Sequence, residues 1–125
     1  MARLFRLLVL SVLICGFAVP AHAAKHFCIG SITYLSTGSN GAVWINIGYG
    51  TTSVCDLDTP LNGIGVETCA AWYGTFITVL TTGARVEMAF NTAHTPNADM
   101  TSCANLGDPG GSWINRQPYN LRIMP

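Results

Sequence analysis

Between Val66 and Asn91 the apolar pattern switches from a helical to an extended period with no connector, and few arrangements of chain can follow such a switch. Val66, Cys69, Tyr73, Phe76, Ile77 and Leu80 recur at three-and-four spacing, one face of a helix of about four turns. Glu67 in the first turn suits the positive end of the helix dipole, and Gly83 stands where a left-handed C-terminal cap is wanted. From Ala84 the period is two, with Ala84, Val86, Met88 and Phe90 on one side and Arg85, Glu87, Ala89 and Asn91 on the other. The helix must therefore lie close to the strand that leaves it.

The chain starts with Arg3 and Arg6 ahead of the apolar run LLVLSVLICGFAV, too short to span a bilayer comfortably but suited to a secretory leader. Ala21-His22-Ala23 places small residues at the minus-three and minus-one positions, which predicts cleavage after Ala23. Residues 1–23 read as a signal peptide and residues 24–125 as a single domain that is secreted or periplasmic and does not insert in a membrane after cleavage. Past the leader, Lys25, Arg85, Arg116 and Arg122 stand against Asp56, Asp58, Glu67, Glu87, Asp99 and Asp108. So few scattered cations argue against nucleic acid or anionic lipid as a partner.

Cys28, Cys55, Cys69 and Cys103 remain in the mature chain, and an even count in a short exported protein reads as two disulfides. No pair has the Cys-x-x-Cys spacing of a zinc site. Three pairings are open.

Phe27 to Leu35 and Ala42 to Tyr49 are rich in β-branched and aromatic residues, and Asn40-Gly41 between them predicts an antiparallel hairpin. Gly48 and Gly50 suggest a bend, and Thr51 to Leu57 a third strand. After the helix and the strand ending at Asn91, Thr92 to Ser112 reads as a long polar loop pinned by Cys103. Tyr119 to Met124 supplies a last strand, with Pro118 at its edge. The order βββαββ is mainly β with one helix and predicts a five-stranded Greek-key barrel of the oligonucleotide/oligosaccharide-binding (OB) type.

The segment Glu67–Asn91 resembles the helix-to-strand portion of the small B subunits of AB5 toxins of the subtilase-cytotoxin and typhoid-toxin kind. The matching positions are Trp72, Thr82-Gly83 and Arg85 to Asn91, with Cys55 ahead of the helix where those subunits also carry a half-cystine. The chain also resembles small exported bacterial proteins that share Cys-x-Gly-x-Ile, here Cys28 to Ile32, and Glu-Thr-Cys-x-x-Trp-Tyr, here Glu67 to Tyr73. The toxin resemblance implies an OB-like barrel that binds a glycan or a cell-surface glycoprotein, as a homo-oligomer such as a pentamer. The first cysteine does not align, and no sugar-contacting residue of that family transfers to a position here.

Chemistry for catalysis is sparse. Asp56 and Asp58 share a strand face and His94 lies in a polar loop, but neither forms a recognisable acid/base or metal constellation. No Gly-x-Ser-x-Gly is present, and Gly48-Tyr49-Gly50 does not lead into a helix as a phosphate loop must. No enzyme, no cofactor and no metal are expected. Binding is the better expectation, because Trp44, Trp72, Trp113, Tyr34, Tyr49, Tyr73 and Tyr119 are many flat amphipathic rings for so small a domain. Trp113 beside Arg116, with Trp44 and Tyr49, are the candidate ligand contacts. The helix face away from the stripe carries Gly74, Thr75, Thr78 and Thr81 and no charge after Glu67, which suits contact with another copy. The alternative is a small extracytoplasmic structural or inhibitory protein with no sugar site.

Overall fold

The computed structural model describes residues 22–107 and 114–125, so the leader up to residue 21 and Trp113 lie outside the described residues. Strands β1 (Lys25–Gly30), β2 (Tyr34–Thr37), β3 (Ala42–Asn46) and β4 (Thr51–Asp56) precede helix α1 (Val66–Thr82). Strands β5 (Arg85–Asn91), β6 (Ile114–Asn115) and β7 (Pro118–Met124) follow, with 3-10 turns at Thr95–Asn97 and Cys103–Asn105 between β5 and β6. Among the described residues the protein is mainly β with one helix. The described strands form two sheets, ordered β1-β5-β7 and β2-β3-β4-β6, in place of the one closed five-stranded barrel that the order of elements suggests.

One expected strand, Phe27 to Leu35, divides at a corner and serves both sheets, and Ile114–Asn115, not expected as a strand, adds a short one to the second sheet. The divided strand leaves β5 after Gly30 and joins β3 from Tyr34, with Thr33 N–H donating to the Asn46 carbonyl at 2.9 Å. Gly30 is packed against the chain just past the end of β3 so closely that a Cβ would lie 1.9 Å from the Ile47 carbonyl oxygen. At the other corner, Ile114–Asn115 pairs parallel with β4 and Pro118–Met124 pairs antiparallel with β5, the chain turning at Arg116-Gln117.

The hairpin at Asn40-Gly41 forms as its turn chemistry predicts, with Gly41 at φ 83°. Gly48 and Gly50, at φ 102° and 88°, end β3 earlier than Tyr49 and bend the chain into β4. Helix α1 runs into a left-handed Gly83 at φ 71°, and β5 starts two residues later with Val86, Met88 and Phe90 buried. Its central place in the sheet also covers Glu87 and Ala89 on the other face.

The helix is rotated from the expected stripe. Cys69, Phe76 and Val79 are buried, whereas Ile77 and Leu80 remain 42% and 49% exposed. Its apolar arc is wider than the sheets can cover, and the Cys55–Cys69 disulfide fixes which part turns inward. The core gathers Val43, Ile45 and Val54 from one sheet, Val86, Met88 and Phe90 from the other, and Phe76 and Val79 between them. Cys28–Cys103 ties β1 to the loop after β5, where Met100 and Leu106 close the remaining side of the core.

Candidate binding face on the four-stranded sheet

Because Val43 and Ile45 turn into the core, their neighbours on β3 turn outward, and strand pairing carries that choice across the sheet. Ser36, Trp44, Ser53 and Asn115 are directly opposite one another on β2, β3, β4 and β6. Tyr34, Asn46 and Thr51 form the adjoining row. The bulge between Val43 and Trp44 preserves this alignment by letting β4 carry one extra residue. Two rings, two amides and four hydroxyl groups thus lie on one side of the sheet, with Ser53 fully buried among them, and none of the seven residues is charged.

Tyr34 is 45% exposed and Trp44 half-buried, diagonal neighbours whose Cα atoms are roughly 7–8 Å apart in such a sheet. Asn46 accepts from Gly48 N–H at 2.7 Å through Oδ1, which leaves its amide N–H groups as the donors it can offer. Ser53 Oγ is enclosed and has no hydrogen-bond partner. Flat rings flanked by neutral donors and acceptors suit a ligand with alternating C–H and hydroxyl surfaces.

The other expected ligand contacts are placed differently. Tyr49 is half-buried in the β3–β4 connection, its hydroxyl donating to the Ile29 carbonyl at 3.2 Å. Arg116 is fully buried at the β6–β7 corner. Its Nε donates to Leu106 O at 2.9 Å, and its two terminal nitrogens donate to Pro96 O at 2.7 Å, to Asn105 O at 2.8 Å and to both Asp99 carboxylate oxygens. Every guanidinium N–H is spent inside the chain. Expected as a ligand contact beside Trp113, Arg116 is therefore a strut of the loop. Its hydrogen bonds and charge hold the Asp99 carboxyl below its ordinary pKa of 3.8, against a smaller opposing effect of burial.

Asn97, also buried, donates to Asn91 O and Gln117 O and accepts from Gln117 N–H. The loop read from sequence as merely polar is built around these two side chains. Asp56, weighed as half of an acid pair, instead accepts at Oδ1 from the backbone of Asp58 and Thr59 and so caps the end of β4. Among the described residues no three His, Cys, Asp or Glu side chains converge on a metal position.

Comparison with known proteins found no matching family model, no matching curated protein and no matching solved structure.

On α1, Gly74, Thr78 and Thr81 are exposed and Thr75 half-buried. Thr75, Thr78 and Thr81 donate their hydroxyls to the carbonyls of Ala71, Gly74 and Ile77, each at 3.0 Å. With the hydroxyls turned back on the helix, the face presents methyl groups beside Ile77 and Leu80 and is less polar than its threonines suggest. Tyr34 is the residue that sequence reasoning passed over as a contact. Its partner across the sheet, Asn46, decides which face it occupies, and that pairing is not written in the local pattern.

Proposed function

We propose that this chain is an exported binding protein that takes a neutral saccharide on the outer face of its four-stranded sheet. The observation that carries the reading is the pair of uncharged rows in which Tyr34 and Trp44 stand among Ser36, Asn46, Thr51 and Asn115. Aromatic rings stack on the C–H faces of sugars while amides and hydroxyls pair with their hydroxyl groups. The leader-like residues 1–23 and the two disulfides support an oxidising, extracytoplasmic setting.

The two corners at residues 31–33 and 116–117, with α1 between β4 and β5, support an OB-like Greek key whose first and last strands each serve both sheets. The uncharged face of α1 supports assembly into a homo-oligomer, in which weak sites gain strength through avidity.

A glycan array read with the oxidised protein tests the proposal. Tyr34→Ala should lose signal by about tenfold or more for the same glycans, the order expected for an aromatic anchor, with an unchanged circular dichroism spectrum. An array on which the folded wild type is silent overturns the saccharide reading and leaves the structural or inhibitory alternative. Light scattering on the same sample reads the assembly.

A further inference from the structure

Among the described residues Ala24 is the first whose backbone the folded body holds. Its backbone N–H donates to Thr92 Oγ1 at 2.7 Å, its carbonyl accepts from Thr92 N–H at 2.9 Å, and the Thr92 hydroxyl donates to the same carbonyl at 3.3 Å. Thr92 follows directly on β5, the central strand of the three-stranded sheet, so the clasp is mounted on a firm element. His22 and Ala23 are exposed and precede the first strand residue, Lys25. The held residue is also the first one after the small-residue site Ala21-His22-Ala23.

We propose that Thr92 is a receptor for the mature amino terminus, which is released at Ala24 when a leader-removing endopeptidase hydrolyses the Ala23–Ala24 bond. This rests on the exported reading but not on the saccharide. Water adds to the Ala23 carbonyl carbon, the C–N bond breaks, and the amide nitrogen of Ala24 leaves as an amine that takes up a proton. The product is an α-ammonium already seated on Thr92 Oγ1. A hydroxyl has two acceptor sites and one donor, so Thr92 can receive the ammonium and still donate to the Ala24 carbonyl. The positive charge strengthens the first of these bonds. The scissile bond lies between the exposed Ala23 and a clasped residue, so the clasp pairs the new terminus, which exopeptidases need unpaired and extended.

The full chain, produced in a bacterial host and recovered from the periplasm, gives two readouts. Intact mass should show the oxidised chain starting at Ala24; a retained leader or a different first residue overturns the proposal. A broad-specificity aminopeptidase should then trim Thr92→Val roughly tenfold faster than the wild type, while Thr92→Ser, which keeps the hydroxyl, should match the wild type. Equal trimming of all three overturns the clasp. Should Thr92→Val not fold, a chain with one extra Ala ahead of Ala24 serves instead: digestion that halts at Ala24 supports the clasp, and digestion that runs on through Lys25 overturns it. Glycan binding is read separately, so its absence leaves this test standing.

Discussion

Arg116 grips both carboxylate oxygens of Asp99 while its remaining N–H groups hold the carbonyls of Pro96, Asn105 and Leu106. One side chain at the β6–β7 corner thereby organises the loop after β5. Arg116→Ala should cost about 3 kcal/mol in urea unfolding of the oxidised protein, since one buried and two part-buried carbonyls lose their donor together. Arg116→Lys should recover only part of that, because an ammonium cannot reproduce the planar fork. A change below about 0.5 kcal/mol, the range of ordinary surface substitutions, would show that the loop stands without it.

The same pair makes acid stability depend on Asp99. Its folded pKa is depressed and its unfolded pKa is near 3.8, so the folded state binds the proton less readily. The stabilisation is fully present above the unfolded value and disappears as pH falls through the folded one. The Asp99 side chain is 70% exposed, so screening by water keeps the contribution to about 1 kcal/mol or less. Unfolding of wild type and Asp99→Asn from pH 6 downward should show wild type the more stable at the upper end and the two curves converging as the pH falls below 3.8 and through the depressed folded value. A gap that widens toward acid would contradict the assignment.

Ser53 carries an enclosed hydroxyl without a partner on the candidate face. Ser53→Ala removes a polar group with no hydrogen-bond partner among the described residues, and should be neutral or stabilising by up to about 1 kcal/mol in thermal unfolding. Because Ser53 is fully buried, glycan binding on the same array should be kept; its loss would show that the face depends on the packing beneath it.

The two disulfides close loops of very different length, with sequence separations of 75 for Cys28–Cys103 and 14 for Cys55–Cys69. On chain entropy alone they contribute about 4.5 and about 3 kcal/mol. Replacing Cys28 and Cys103 by Ser should therefore destabilise more than replacing Cys55 and Cys69, by roughly 1.5 kcal/mol in denaturant midpoints converted to free energy. The reverse order would mean that orienting α1 outweighs closing the long loop.

What the sequence determined by itself is local. The passage from α1 through Gly83 into β5 follows from two periods and one glycine, and the β2–β3 hairpin from Asn40-Gly41, because spacing and turn chemistry act within a few residues. The number of half-cystines was legible for the same reason, but their partners were not. Tertiary structure decided what depends on contacts between distant segments. Gly30 meets Ile47 and splits the first strand between two sheets, and Cys55 meets Cys69 and rotates the helix so that Val79 goes in and Leu80 stays out. Arg116 reads as an open donor in the sequence and becomes a buried strut once carbonyls from ten to twenty residues earlier surround it. Each outcome balances desolvation against partners that only the folded chain brings together, and no local pattern encodes that balance.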